Sequence, residues 1–311
     1  MPPGATVSRC RRFPDNRVHL QDDGQRGAMA MDAKDWIGRT ETVDDVATAT
    51  PYAALSATLD RAPERPPPGT PLPALWHWLY FLPLYRQSDV GPDGHAKRGG
   101  FLPPIPLPRR MWAGSQLRFE RALCIGDTLT RTSTIEDVTE KPGRTGPLVF
   151  VRVRHEIRRN AEPEVALVEH HDIVYREAPK ADDVAPAPKA APSGSAWERR
   201  WVPDDVLLFR YSALTFNGHR IHYDRRYVTE VEGYPGLIVH GPLIATLLLD
   251  LLRHQLPDAI VARYEFRAIR PLFDLHPFFV SGEPQPDGKS FRLWARDHEG
   301  FLTMDATAIV R

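Results

Sequence analysis

The hydrophobic pattern of the C-terminal part predicts one long helix followed by a run of strands. Residues 235–253 hold the most apolar run of the chain, and the Gln-Leu-Pro sequence at 255–257 ends it. Apolar and polar positions then alternate, which is typical of half-buried strands. The predicted strands are 261–269, 278–282, 290–296 and 302–310. We therefore expect an antiparallel sheet wrapped around one helix, an α+β fold.

The N-terminal part repeats this plan less regularly. Residues 36–59 are predicted to be helical with a break near Pro51, and residues 75–82 are predicted to form a short central helix. Proline-rich, irregular sequence surrounds the second of these helices. The predicted strands are 116–121, 127–138, 148–157 and 165–176. The chain is therefore interpreted as two halves of similar layout.

A stretch rich in Ala, Pro, Ser and Gly divides the halves. Residues 177–198 lack apolar periodicity and are predicted to be a linker between an N-terminal unit, 32–176, and a C-terminal unit, 199–311. Residues 1–31 have no apolar segment of the kind found in secretory signals. We interpret them as a disordered tail or a mis-assigned start.

Composition and charge exclude several classes of function. The 311 residues carry 40 basic and 40 acidic side chains, so no overall field favours nucleic acid or an anionic membrane. The apolar stretch 237–252 is shorter than the roughly 20 residues of a membrane span. Two cysteines cannot form a disulfide framework, and 31 prolines argue against a helical bundle.

Polar side chains gather just before the long apolar helix. Asn217, His219, His222 and Tyr223 lie within seven residues. Residues 234–242 open the predicted helix, and a helix N-terminus offers free N–H groups to an oxyanion. A histidine beside such donors can move protons next to a polarised carbonyl. Taken alone, His222 is better explained as a structural histidine than as a catalytic one. His219 and His222 are three residues apart and could ligate a metal, but no third or fourth ligand occurs at suitable spacing.

Four sequence blocks resemble the MaoC-like, or hydratase-2, branch of the hot-dog fold. They are FRYSALTFNGHRIHYD at 209–224, PGLIVHGPL at 235–243, GGFLPPIPLPRRMWAG at 99–114 and RAIRPLF at 267–273. The similarity is to a subgroup that contains hydroxyacyl-thioester dehydratases of type 2, mesaconyl-C4-CoA hydratases and itaconyl-CoA hydratases. It implies a double hot dog in which the central helix of the N-terminal half is degraded.

The resemblance implies reversible addition of water to an α,β-unsaturated acyl thioester, with His222 as the acid–base residue. Asn217 stands where the wider family has a catalytic aspartate, and because an amide does not titrate, it is expected to hold water or the substrate carbonyl. The backbone of Gly241 is expected to polarise that carbonyl. The CoA thioester is the substrate, and no cofactor or metal is implied.

A short dicarboxylic acyl group, such as a mesaconyl or itaconyl group, is the substrate that the resemblance favours. Such a substrate requires an arginine for its free carboxylate. The side chains expected to bind substrate are Arg109, Arg110, His219, Arg220, Tyr223, His240, Arg267 and Arg270. Pairing of these arginines with CoA phosphates, or simple surface exposure, is the alternative interpretation.

Other hypotheses remain open at the level of sequence. One is a (3R)-hydroxyacyl-thioester dehydratase of fatty-acid metabolism that acts on CoA or on an acyl carrier protein. Another is a hot-dog thioesterase or an acyl-thioester binding protein without hydratase activity. We expect a monomer or a homodimer in the cytoplasm, or in mitochondria if the host is eukaryotic.

Overall fold

The computed structural model describes residues 32–143, 146–160, 162–178 and 187–311. The interpretation of residues 1–31 as a tail or a mis-assigned start lies outside these ranges, and so does the middle of the predicted linker. Residues from Ala33 to the C-terminus form one compact unit.

A single antiparallel sheet carries the fold. Within the described residues it has ten strands in the order β1-β3-β4-β5-β2-β7-β10-β9-β8-β6. The N-terminal half supplies β1 (Thr40–Val46), β2 (Arg109–Phe119), β3 (Thr128–Gly143), β4 (Gly146–Arg159) and β5 (Val165–Arg176). The C-terminal half supplies β6 (Trp197–Trp201), β7 (Val261–Ala268), β8 (Phe278–Pro284), β9 (Ser290–Arg296) and β10 (Leu302–Val310). All strands predicted from the sequence are present.

The two halves meet where β2 pairs with β7. Gly114 lies opposite Arg267, and Ser115 lies opposite Phe266. A Cβ atom on Gly114 would come within 2.3 Å of the Phe266 carbonyl oxygen, so only glycine allows the two backbones this close. The sheet therefore runs from one half into the other without an edge.

One long helix lies against the C-terminal part of the sheet. Helix α3 (Gly241–Gln255) is buried at every position from Leu243 to Leu252, including Asp250. The corresponding segment of the N-terminal half is only a 3-10 turn, Trp76–Leu79. This arrangement confirms the α+β double hot dog with a degraded N-terminal helix. Within the described residues, no helix is both long and apolar enough to cross a membrane.

The prediction of a helix at 36–59 is wrong for most of its length. This region folds into β1, whose residues from Thr40 to Val46 all pair with β3, and then into helix α1 (Ala49–Thr58). Pro51 lies in the first turn of α1. The N–H groups of a first turn have no acceptor within the helix, so proline loses no hydrogen bond there and does not break the helix.

Helix α3 begins six residues later than the sequence pattern predicts, at Gly241 instead of Pro235. The preceding residues are extended because their N–H groups bond outside any helix. Ile238 donates to the Ile221 carbonyl, and Val239 donates to that of Leu272.

Two further elements were not predicted from the sequence. Strand β6 pairs with β8 and begins at Trp197, so the last two residues of the predicted linker belong to it. Helix α2 (Asp205–Leu214) begins after Asp204, whose carboxylate accepts a hydrogen bond from the Leu207 N–H. Such a cap is a common start of a helix.

Candidate active site

The segment that carries the predicted catalytic residues leaves the C-terminal end of α2 through a tight turn. Phe216 has a left-handed backbone with φ of 50°, and the Asn217 N–H bonds to the Ser212 carbonyl at 2.8 Å. The Asn217 side-chain oxygen accepts from the His219 N–H at 3.0 Å. This bond fixes the amide and leaves its NH2 group as the donor available to a ligand.

His222 is buried, with 8% of its surface exposed, at the end of a short 3-10 turn. Its Nδ1 lies 2.7 Å from the Ile238 carbonyl oxygen. Because a carbonyl only accepts, Nδ1 must carry the proton, and Nε2 keeps a free lone pair. Burial lowers the pKa of His222 to about 4, although the bond to Ile238 opposes this shift. The ring is therefore a neutral proton acceptor at physiological pH.

His240 supports the His222 ring from one side. The two rings are stacked with centroids 3.7 Å apart and planes 17° apart. His240 is fully buried, and its Nε2 lies 2.8 Å from the Ser212 hydroxyl. Burial holds the pKa of His240 well below its usual value, so the stacked ring stays neutral. The structure thus places His240 as a neighbour that orients His222.

A row of four histidines runs across the site. The rings of His219 and His222 are 5.5 Å apart and perpendicular, and the rings of His95 and His219 are 3.9 Å apart. Together with His240 they form what we call the histidine row: His95, His219, His222 and His240. Burial lowers the pKa of His219 to about 2, and its two neighbours in the row act in the same direction.

The N-terminal half contributes the first member of the row through a loop at residues 91–96. His95 Nδ1 lies 2.9 Å from an Asp93 carboxylate oxygen, and the His95 backbone N–H donates to the other oxygen at 3.1 Å. A Cβ on Gly94 would lie 1.8 Å from the Gly218 carbonyl oxygen. The loop is therefore packed directly on the catalytic segment by a contact that requires glycine.

Arg110 is the predicted substrate-binding arginine that belongs to this site. It lies on β2, and its positive charge lowers the pKa values of both His95 and His219. Burial raises the pKa of the Tyr175 hydroxyl group, and the charge of Arg110 opposes this shift. Among the described residues, Arg110 forms no ion pair with a carboxylate, whereas Arg109 is paired with Glu232 at 2.8 Å.

Of the other predicted arginines, Arg220 and Arg270 are paired with carboxylates and Arg267 is exposed. Arg220 pairs with Asp224 at 2.7 Å and donates to the Pro92 carbonyl, so it braces the 91–96 loop. Arg270 pairs with Asp297 at 3.2 Å in the turn after β9. Arg267 is exposed on β7. The substrate-binding roles of all three stay predictions.

Two further predicted residues flank the row. Tyr223 is 44% exposed, and its hydroxyl donates to the Gly218 carbonyl at 2.9 Å. Gly241 is the first residue of α3 and follows His240 directly. A Cβ on Gly241 would meet only the Met304 methyl group at 4.0 Å, so the backbone there is open to a small group. These two roles also stay predictions.

Asp93 and His95 are site residues that the sequence analysis missed. The signal was present in a Pro-Asp-Gly turn followed by histidine, just before the block at 99–114. It was overlooked because 121 positions separate residue 95 from 216, where the catalytic segment turns.

The loop at residues 91–96 also affects the prediction that the site holds no metal. The sequence offers His219 no third ligand at short spacing, but the fold brings Asp93 and His95 beside it. Donor atoms of the three side chains lie within 4.8 Å of one another. The Asp93–His95 hydrogen bond joins two of these donors directly, and we interpret the group as a hydrogen-bonded pair whose imidazole packs against the His219 ring.

Comparisons with known proteins show which family the chain belongs to. The profile of the family described as hydroxyacyl-thioester dehydratase type 2 matches residues 75–274. A mesaconyl-C(4)-CoA hydratase from Chloroflexus aurantiacus is 48% identical over 273 residues, which covers 88% of this chain and 95% of that protein. A mitochondrial hydroxyacyl-thioester dehydratase type 2 from Schizosaccharomyces pombe is 29% identical and covers 66% of this chain and 75% of that protein.

Solved structures share the fold. HtdX of Mycobacterium tuberculosis superposes with a TM-score of 0.61 at 19% identity and covers 87% of this chain and 99% of that one. A MaoC-like dehydratase from Phytophthora capsici gives 0.62 at 12% identity and covers 90% and 98%. The sequence blocks, the double hot dog, the matched profile and the relatives lead to one conclusion. The chain belongs to the type 2 hydroxyacyl-thioester dehydratase family and is a hydro-lyase of acyl thioesters.

Proposed function

We propose that the protein hydrates a short, dicarboxylic, α,β-unsaturated acyl-CoA, and that mesaconyl-C4-CoA is its substrate. The observation that carries this proposal is Arg110, a cation beside the histidine row without a carboxylate partner among the described residues. In mesaconyl-C4-CoA the β-carbon bears the free carboxylate. An arginine next to the catalytic histidines suits that carboxylate, because guanidinium and carboxylate form paired, charge-assisted hydrogen bonds.

The relatives support the same substrate. The protein from Chloroflexus aurantiacus, which is named for its hydration of mesaconyl-C(4)-CoA, aligns with 88% of this chain at 48% identity. The dehydratase from Schizosaccharomyces pombe is more distant, at 29% identity. A (3R)-hydroxyacyl-thioester dehydratase that acts on CoA or acyl carrier protein is therefore the second candidate.

His222 is the general base in the proposed reaction. Its Nε2 takes a proton from water while the water oxygen attacks the β-carbon of the substrate. The hydrogen bond from Nδ1 to the Ile238 carbonyl holds the required tautomer. The stacked His240 ring limits rotation of the base.

The electrons released towards the thioester need stabilisation. The backbone N–H of Gly241, at the first position of α3, is suited to the thioester oxygen because the N-terminal end of a helix dipole favours negative charge. The Asn217 NH2 group is suited to hold the attacking water or the same carbonyl, because its oxygen is already bonded to the His219 N–H. We propose that no cofactor besides the CoA thioester takes part.

We also propose that the protein works in the cytoplasm. Cys124, the cysteine among the described residues, is a free thiol, which suits a reducing compartment. An acyl carrier protein as partner and the choice between monomer and homodimer remain predictions from the sequence.

The test compares three substrates and two arginine variants. Purified protein is assayed by absorbance and mass spectrometry with mesaconyl-C4-CoA, itaconyl-CoA and crotonyl-CoA, which lacks a free carboxylate. We expect mesaconyl-C4-CoA to gain one water most rapidly. Arg110→Gln should lower kcat/KM for it about 10- to 100-fold, because a hydrogen bond to a charged group contributes roughly 1.5–3 kcal/mol. The loss on crotonyl-CoA should be about tenfold smaller.

Arg118→Gln is the matched control for the arginine variant. Arg118 lies on the same strand, but its side chain is exposed and pairs with Glu120. Equal losses on crotonyl-CoA and mesaconyl-C4-CoA in Arg110→Gln would contradict the role of Arg110. Fastest hydration of crotonyl-CoA by the unaltered protein would favour the general hydroxyacyl-thioester dehydratase, and release of free CoA would indicate a thioesterase.

A further inference from the structure

We propose that His95, oriented by Asp93, is the second acid–base residue of the hydration and supplies the proton that the α-carbon receives. Hydration of a double bond needs a group that removes a proton from water and a group that delivers one to carbon. His222 serves the first step, and Asn217 cannot titrate. This inference rests on the hydration proposed above.

The first support is the position of His95 in the histidine row. Its ring lies 3.9 Å from that of His219, which in turn lies 5.5 Å from His222. Specific contacts hold the His95 loop against residues 217–222. The Arg220 N–H donates to the Asp93 carbonyl at 2.9 Å, and Gly94 packs on Gly218. The loop from the N-terminal half is thus part of the catalytic segment's own hydrogen-bond network.

The second support is the partner of each histidine. His222 donates to a neutral carbonyl, which favours the neutral base. His95 Nδ1 bonds to the Asp93 carboxylate at 2.9 Å, which favours the imidazolium and leaves Nε2–H free to donate. Two titratable groups whose surroundings differ in this way divide the roles of base and acid.

Charges around His95 couple its protonation to the substrate. Burial has the largest effect and holds the pKa of His95 below its usual value, the hydrogen bond to Asp93 opposes this shift, and the charge of Arg110 adds to it. A substrate carboxylate on Arg110 would neutralise that last effect and favour the imidazolium. The titratable and charged groups around His95 and its loop are Tyr85, Asp93, Arg98, Arg110, His219, Arg220, His222 and Tyr227.

The proton balance closes without any further reactant. The water oxygen bonds to the β-carbon while one water proton moves to Nε2 of His222. The π electrons of the double bond move towards the α-carbon and the thioester carbonyl, and the proton on Nε2 of His95 bonds to the α-carbon. His222 is then cationic and His95 neutral, and transfer of one proton from His222 to His95 restores the starting state. Nothing is oxidised or reduced.

The experiment measures kcat and KM from pH 5 to 10 for His95→Gln and Asp93→Asn, with whichever of the three thioesters the unaltered protein hydrates fastest. If the unaltered protein does not hydrate mesaconyl-C4-CoA, the proposed substrate is wrong. The role of His95 is tested with any thioester that the protein hydrates. We expect His95→Gln to lower kcat roughly 10²- to 10⁴-fold and to remove the decline of the rate at high pH. KM should change little.

Asp93→Asn is the second variant, because its amide oxygen can still accept from the His95 backbone N–H. Without the carboxylate the imidazolium is less stable, so the decline at high pH should move to lower pH. The exposed His276→Gln is the matched control and should behave as the unaltered protein. Circular dichroism checks that each variant is folded.

Three results would overturn the inference. The first is a kcat of His95→Gln within about threefold of the unaltered value, far from the loss expected of a general acid. The second is a large loss with an unaltered pH profile, because this would make His95 a positioning residue. The third is activity that disappears with EDTA and returns with Zn²⁺, because Asp93, His95 and His219 would then be metal ligands.

Discussion

The hydrogen-bond partner of each histidine in the row decides what that ring can do. A carbonyl faces His222 and a carboxylate faces His95, whereas His240 faces a hydroxyl. Chemically identical imidazoles therefore differ in the nitrogen that holds the proton and in the ease of gaining a second one. Arg110 adds a charge that the described carboxylates do not neutralise, which leaves it available to a substrate carboxylate.

The acidic limb of the pH profile should reflect His222. Burial lowers its pKa to about 4, and the base works only while neutral, so activity falls when the pH drops below that value. We expect no fall of kcat/KM from protonation of the base between about pH 7 and about pH 5, where an unperturbed histidine with a pKa near 6.5 would already be protonated. Initial rates in overlapping buffers measure this, with circular dichroism as the control for unfolding. An acidic limb centred near pH 6.5 would contradict the assignment.

At the level of elements, the site depends on a loop and a turn from opposite halves. The 91–96 loop packs on the turn at residues 217–222 through two glycines, and neither backbone has room for a side chain between them. Helix α2 and the start of α3 hold the same turn from the other side through Ser212 and His240. Distortion of any one of these contacts is expected to move the catalytic rings together.

Gly94→Ala should separate the loop from the turn. Its Cβ would lie 1.8 Å from the Gly218 carbonyl oxygen, and the backbone φ of +89° is itself unfavourable for alanine. We expect a loss of kcat/KM of at least about tenfold, together with a decrease of the unfolding free energy of about 1–3 kcal/mol.

Gly99→Ala is the control for this variant. Gly99 has a φ of +87°, but its nearest neighbour, the Pro104 Cβ, is 3.9 Å from the added atom. It therefore introduces the same backbone strain without the steric overlap. Steady-state kinetics and urea denaturation measure both variants. Equal losses of activity in the two would show that backbone strain, and not the contact with Gly218, is responsible.

At the level of the whole molecule, the two halves share one sheet and the larger of its two apolar clusters. The β2–β7 pairing joins them, and Trp78, Trp112 and Phe266 contact one another next to it, with ring centroids between 5.0 and 6.2 Å apart. Because neither half buries this surface alone, we expect the chain to unfold as one cooperative unit.

Gly114→Val tests this cooperativity. The Phe266 carbonyl oxygen, 2.3 Å from the added Cβ, leaves no room for a side chain, so the variant should force β2 and β7 apart. We expect the urea midpoint to fall equally by far-UV circular dichroism and tryptophan fluorescence. Gly100→Val, at a position with no neighbour within 4 Å, is the control. Two separate transitions, or a shift seen by only one probe, would contradict a shared core.

Much of the architecture is predictable because it depends on local patterns. Alternating residues predict β5 and β9 at their observed bounds, since side chains on a strand must alternate between core and solvent. The helix predicted at 36–59 was wrong because β1 is stabilised by its pairing with β3, which local propensity does not contain. The start of α3 was misplaced for the same reason, since distant backbone partners hold Ile238 and Val239 extended.

The sequence by itself predicted the fold class and the two-half layout, because hydrophobic periodicity depends on neighbours in the chain. The catalytic roles of Asn217 and His222 are implied by the family resemblance and stay predictions. Only the tertiary structure decided that Asp93 and His95 lie in the site. It also distinguished Arg110 from Arg109, which adjoins it in sequence yet pairs with Glu232. Packing of one half on the other brings these groups together, and the spacing of residues along the chain does not predict that packing.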